Sequence, residues 1–373
     1  LNTLKILFCT DGIFPYAVGG MQRHSKLLIE ELAKNVGVEI VVVHPHKEKI
    51  FTSYNNVSEI SLPGINTNKN YLLECYKYSQ KVYQIILNHP NHVVYSQGLS
   101  VWYKIAHIKN KVIVNPHGLE PFQAIGIKAK LTAIPFKIIF KYLFKHADVV
   151  ISLGGKLTDI LQTAISDKSK IRVLPNAVNL PDNINPKNFS KKLHFLFVGR
   201  FEYNKGIFYL LNAIEQYSNT HKSNDFTIIF AGKGPLYAQC IKKYSHLPQV
   251  KFLGYVDDNK LNELYRQCHI FVLPTLFEGM PTVVMEAMSY GMPVIVSDVG
   301  ATAQLVNIDN GFLIPPANID ALVEAIKAIL NKQPDELTQM GVNSINKIKY
   351  NYTWELVAQK HLDLFHELFK KSL

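Results

Sequence analysis

The chain has 373 residues, 47% of them hydrophobic, four cysteines and a net charge of +11. This length and apolar content exclude a disordered or fibrous protein and suffice for two domains, each with its own core. No apolar run reaches the ~18 residues of a membrane span, residues 1–11 are charged too early for a signal peptide, and Cys9, Cys75, Cys240 and Cys268 form no C-x-x-C pair, so a cytoplasmic protein with reduced thiols is expected.

The charge is unevenly divided. Residues 1–180 hold 21 Lys/Arg against 11 Asp/Glu, whereas residues 181–373 hold 19 against 18. A basic first half suits an anionic acceptor or an anionic membrane surface; nucleic acid has no basic-aromatic motif behind it and is not expected.

In chain order, residues 4–10 form a short apolar strand, and the loop after it carries Asp11, Pro15, Gly19 and Gly20 before a helix that begins near Met21. Strand, glycine pair and helix start form an anion cradle, because glycine lets a ligand approach the backbone closely; an ordinary strand-to-helix turn explains the same residues. Strands follow at residues 39–44, 92–95, 111–115, 148–153 and 170–174, with helical stretches between most of them. Such alternation predicts an α/β fold with a mainly parallel sheet, whose functional residues gather at the carboxyl ends of the strands. His117 sits at one such end. Around residues 128–146, Pro135 suits a first helical position, with Phe136, Ile139, Phe140, Leu143 and Phe144 on one face and Lys137, Lys141 and Lys145 on another. That stripe fits either a solvated face or contact with anionic lipid.

Residues 181–192, with Pro181 and Pro186, read as a linker between a first domain, 1–180, and a second, 193–351. The second alternation opens with a strand at 193–198 that delivers Gly199, Arg200, Lys205 and Gly206. Arg200 and Lys205 at a strand end suit a diphosphate. The next strands end in Gly232-Lys233-Gly234-Pro235 and Gly254-Tyr255; Asp257-Asp258 reads as a helix cap, and no cluster has metal-ligand spacing. The apolar run 270–274 then leads into Glu278-Gly279-Met280-Pro281-Thr282-Val283 and a helix from about Pro281 to Gly291, whose first amides form a second anion site. Glu278 precedes that helix end and Glu286 lies about two helical turns further on, so one ligand with sugar hydroxyls, a diphosphate and a ribose suits all three features. Residues 352–373 form an amphipathic terminal helix that needs a surface to pack on.

Across nearly its whole length the chain resembles the family-4 glycosyltransferases of the GT-B fold. The resemblance is carried by Gly19-Gly20, His117-Gly118, Gly199-Arg200 with Lys205-Gly206, Gly232-Lys233-Gly234-Pro235, and Glu278 to Glu286 followed by Gly291-Met292-Pro293. It implies two Rossmann-like domains facing each other across a cleft, with the terminal helix crossing back to the first. The implied reaction is a retaining, metal-independent transfer from a nucleotide diphosphate sugar, with uridine favoured as the base, to a glycan or lipid-linked acceptor at the inner face of a membrane. No separate cofactor is implied. By this analogy Arg200 and Lys205 stabilise the leaving diphosphate, Glu278 holds the donor sugar, Glu286 the ribose, and His117 lines the sugar subsite. Gly19, Gly20, Gly199, Gly232, Gly234, Tyr255, Gly279, Met280, Pro281, Thr282 and Val283 shape the donor site, while Arg23 and His24 meet the acceptor. Asn204 stands where the family often has Glu, and Ala177 where Gly is frequent. The alternatives are a nucleotide-sugar epimerase, a pyridoxal-phosphate-dependent phosphorylase, or a non-catalytic glycan-binding subunit.

Overall fold

The computed structural model describes residues 3–66, 69–124, 126–184, 187–189, 192–221 and 226–371. The chain divides into two compact units, Leu1–Asn176 with Trp354–Leu373, and Ala177–Thr353.

The first unit runs β1 (Leu4–Cys9), α1 (Gly20–Ala33), β2 (Val38–His44), β3 (Val57–Ser61), α2 (Tyr71–Leu87), β4 (Val93–Gln97), β5 (Val112–Asn115), α3 (Ile127–His146), β6 (Val149–Ser152), α4 (Lys156–Ala164) and β7 (Ile171–Val173). Its sheet has the order β3-β2-β1-β4-β5-β6-β7, and every pairing is parallel. The order reverses between β1 and β4, which opens a crevice at their carboxyl ends. β4 and β5 are buried along their whole length because helices cover both faces. β3 lies at the edge and is partly exposed, so its sequence, Val-Ser-Glu-Ile-Ser, lacks the apolar run that marks the inner strands.

The second unit runs β8 (Leu193–Val198), α5 (Ile207–Thr220), β9 (Phe226–Ala231), α6 (Tyr237–Tyr244), β10 (Val250–Gly254), α7 (Asp258–Gln267), β11 (Ile270–Leu273), α8 (Thr282–Ser289), β12 (Val294–Ser297), α9 (Thr302–Leu305), β13 (Gly311–Ile314), α10 (Ile319–Leu330) and α11 (Pro334–Asn351). Its parallel sheet has the order β10-β9-β8-β11-β12-β13, reversing between β8 and β11. Both units are thus doubly wound. Asp257 caps α7, its Oδ1 accepting from the Lys260 amide at 2.8 Å. α12 (Trp354–Lys370) returns to the first unit and packs on α1, β1 and β4 through Val357, His361, Phe365 and their neighbours.

Two local expectations change. α3 begins at Ile127, so Pro135 stands inside it rather than at its first turn. A proline there leaves the carbonyl four residues earlier without its N–H partner, and the buried Ala133, Phe140, Leu143 and Phe144 nonetheless hold the helix, which packs on the turns at Ile105–His107 and Glu120–Phe122. The linker stretch also packs more closely than its composition suggests: Lys187 Nζ donates to the carbonyls of Tyr265 (2.7 Å) and Cys268 (2.6 Å), closing the end of α7. Pro186 lies outside the described residues.

Candidate active site

In the second unit the loops after β8 and β11 are bonded to each other. The Asn204 carbonyl accepts from the Leu276 amide (2.7 Å) and from Thr275 Oγ1 (2.8 Å). The main chain of Asn204 makes these bonds, so a Glu-to-Asn difference leaves this loop contact unchanged. The contact brings Lys205 against Glu278, its Nζ donating to Oε1, with Thr275 Oγ1 3.4 Å from the same oxygen. The two side chains are 19% and 15% exposed. Strand-end placement and the family resemblance assigned them to separate tasks; their pairing is a tertiary fact. An ammonium has three donors, so Lys205 can serve Glu278 and an anion together. Arg200 reaches further out, 71% exposed, with Nη1 3.1 Å from Glu202 Oε1.

Glycines let these loops close. Gly232 has φ 137°, and a Cβ there would lie 1.9 Å from the Gly199 carbonyl oxygen; at Gly206, φ 67°, it would lie 1.8 Å from that of Pro274. The backbone that approaches Gly199, Gly206 and Gly232 is therefore the protein's own. Pro281 caps α8, and its carbonyl accepts from the amides of Val284 (3.2 Å) and Met285 (3.4 Å). The first amides expected to form an anion site therefore narrow to the N–H groups of Thr282 and Val283, which form the positive end. Met280 turns its side chain into the core, because the turn needs an apolar anchor, so a ligand meets this stretch through Gly279, Pro281 and the helix start instead. Glu286, one turn into α8, accepts from Tyr265 Oη at 2.9 Å, and the Tyr265 ring stacks on Tyr290. Tyr255 is exposed on the loop after β10.

In the first unit His117 has φ 57°, a left-handed conformation uncommon outside glycine, and is held from two sides. Its backbone N–H donates to Asn115 Oδ1 (3.0 Å), Asn115 Nδ2 donates to Tyr95 Oη (3.0 Å), and Tyr95 Oη lies 3.3 Å from His361 Nε2. His361 Nδ1 lies 2.9 Å from the Val357 carbonyl. Nδ1 is therefore the protonated nitrogen of His361, and Tyr95 donates to Nε2. On the other side His117 Nε2 pairs with Gln97 Oε1, whose amide nitrogen lies 3.5 Å from His24 Nδ1. With Nε2–H given to Gln97, His117 Nδ1 is left as an acceptor. Burial, with repulsion from His361, lowers the His117 pKa to about 3, so the ring is neutral near pH 7.

His24 does not reach the surface. It is buried against His117, Trp354 and His361, which removes it as an acceptor contact; a helix period cannot tell an outward from an inward histidine once a second helix, α12, covers that face. Arg23 lies over the Phe14 ring at 4.2 Å. Gly20, at the start of α1, is exposed, and a Cβ there would meet nothing within 4 Å. Tyr95, Gln97 and Asn115 escape the pattern reading. Their signal is present all the same: polar groups closing two otherwise apolar, fully buried strands at the carboxyl end.

Two doubly wound units with polar clusters at their strand ends are the parts of a GT-B fold. Residues 18–181 match the model described as Glycosyltransferase Family 4, and residues 192–332 match the one described as Glycosyl transferases group 1. The chain belongs to this glycosyltransferase family. It is 24% identical to an uncharacterized glycosyltransferase of Methanocaldococcus jannaschii, over 97% of this chain and 98% of that protein. It is 27% identical, over 68% of each, to the UDP-Gal:alpha-D-GlcNAc-diphosphoundecaprenol alpha-1,3-galactosyltransferase of Escherichia coli. Among solved structures, sucrose-phosphate synthase from Thermosynechococcus elongatus superposes with a TM-score of 0.81, covering 99% of this chain and 100% of that one at 22% identity.

Proposed function

We propose that this glycosyltransferase moves a sugar from a uridine diphosphate sugar to a glycan or lipid-linked glycan acceptor, with retention at the anomeric carbon and without a metal. The observation that carries the proposal is the convergence in the second unit of Lys205, Glu278, Arg200 and the positive end of α8 around adjacent strand ends. The anomeric C–O bond to the diphosphate breaks as the glycosidic bond forms, and negative charge builds on the leaving group. Lys205, Arg200 and the amides of Thr282 and Val283 stabilise that charge. Glu278, steadied by Lys205, accepts from donor-sugar hydroxyls, and Glu286, oriented by Tyr265, takes the ribose; in the first unit His117 Nδ1 is available as an acceptor for a sugar hydroxyl. The galactosyltransferase relative, whose name carries both a UDP-sugar and a diphosphoundecaprenol acceptor, supports the base and the acceptor class.

Melting with UDP, GDP and ADP tests the donor reading. A nucleotide at 100 times its Kd adds ~2.7 kcal/mol of stability, and UDP is expected to give the largest shift. A shift with GDP or ADP alone would replace the base, and no shift with any of them would remove the donor site. The anomeric configuration of the product, read by NMR, tests retention.

The membrane is the second partner in this reading. Ile127, Leu131, Ile134, Ile138 and Tyr142 of α3 are all exposed and fall within about 80° of arc at 100° per residue, opposite the buried Ala133, Phe140, Leu143 and Phe144. Lys130, Lys137 and Lys141 run beside this stripe, and the helix contains no acidic residue. An apolar stripe flanked by cations suits an anionic lipid surface, where each lysine adds about 1 kcal/mol. Among the described residues no helix is long and apolar enough to cross a membrane. The protein is expected to float with phosphatidylglycerol vesicles at low salt, to be released by high salt, and to fail to float as the Leu131→Asp/Ile138→Asp variant. Flotation indifferent to both changes would refute the contact.

A further inference from the structure

We infer that a cavity of the first unit receives the acceptor, and that the group entering it is an uncharged sugar ring anchored by Asp11. This rests on the transferase reading above and adds the class of group received. The cavity has a volume of about 550 Å³ and opens at the carboxyl ends of β1, β4 and β5, with α3 as its further wall. That size falls in the range of small-molecule sites, about 300–1,000 Å³.

Asp11 follows β1 and lines the cavity, and its Oδ1 is buried with no hydrogen-bond partner. Nothing in the donor reading uses this group. A buried carboxylate oxygen without a donor is unfavourable, and a ligand hydroxyl that donates to it removes the cost. Burial also pushes the Asp11 carboxyl up to about 6, the direction expected where no cation stands beside it. Leu99, Phe136 and Phe140 supply apolar and aromatic surface for the C–H face of a pyranose.

The charge of the lining decides the class. Asp11 and Glu120 are its ionisable carboxylates, it contains no lysine or arginine, and His117 on its wall is held neutral. A phosphate placed here meets two carboxylates and no cation, whereas a neutral polyol meets acceptors for its hydroxyls. Lys130, Lys137 and Lys141 of α3 do not line the cavity: Lys130 and Lys141 are exposed, and Lys137 lies over the Phe122 ring, 5.8 Å from its centroid. A phosphate carried by the acceptor therefore stays outside while its sugar ring enters.

The test uses the full chain with UDP present, a panel of methyl glycosides and the corresponding sugar 6-phosphates, read by saturation-transfer NMR. At least one methyl glycoside should bind, with the 6-phosphate of the same sugar at least tenfold weaker. Asp11→Asn should weaken the glycoside about tenfold. Thr132→Trp, which fills the cavity from the exposed side of its α3 wall, should abolish binding while leaving the melting temperature of the protein alone unchanged. Tighter binding of the sugar phosphates, absence of binding by the whole panel, or glycoside affinity unmoved by both variants would overturn the inference. The UDP melting shift should persist in both variants, so its loss from the wild type would tell against the donor reading and not against this cavity.

Discussion

Lys205→Ala is expected to lower kcat about a hundredfold while moving the KM for the donor only a few-fold. Charge on the leaving diphosphate is greatest in the transition state, so a cation at that position contributes there more than in the ground state. Loss of one such contact costs ~3 kcal/mol in a water-poor site. Lys205 is the stronger case of the two cations because it is four-fifths buried and fixed by Glu278, whereas Arg200 is largely in solvent and screened. Arg200→Ala should accordingly cost less. Steady-state kinetics with a UDP-sugar decide the matter: a raised KM at unchanged kcat would assign Lys205 to uniform binding and remove it from the transition state. Glu278→Gln is the necessary companion, since removing the ammonium also strips Glu278 of its partner. A fall in kcat for Lys205→Ala much larger than for Glu278→Gln separates the two causes.

Mild acid should destabilise the first unit. His361 and His24 are buried beside His117, and burial keeps both neutral, with repulsion from His117 and His361 adding to it at His24; the folded value for His361 is lowered to about 4 and that for His24 lies well below normal. In the unfolded chain a histidine titrates near 6.5. The unfolded state therefore binds more protons between about pH 6.5 and 4, and stability, complete above pH 6.5, falls as the pH drops through that window. Each such histidine contributes a slope of up to ~1.4 kcal/mol per pH unit. Asp11, raised to about 6, works in the opposite sense over pH 6 to 4 and offsets about one of them. The net expectation is a loss of at least ~2 kcal/mol between pH 7 and 5. Both tryptophans, Trp102 and Trp354, lie in the first unit, so urea unfolding followed by their fluorescence reports on it alone. His361→Gln should flatten the slope by ~1.4 kcal/mol per pH unit. An unchanged slope would show that His361 is protonated in the folded protein.

Local chemistry wrote much of this molecule into the sequence. The alternation of apolar runs with amphipathic stretches determined two parallel sheets, because a strand buried on both faces must be apolar throughout and its crossover must be helical. Asp257 at a cap was legible because a helix start requires an acceptor for its free amides. Edge strand β3 and the true start of α3 were not, since β3 needs no apolar face and a proline within α3 reads as a beginning. What only the tertiary structure decided was partnership. Lys205 and Glu278 are 73 positions apart, and Tyr95 and His361 are 266 apart; no periodicity spans such distances. Whether a charged or polar side chain is a ligand, a support or a buried neutral depends on what is folded against it. For Glu278 that is a lysine, for His24 a returning helix, and for Asp11 a cavity wall.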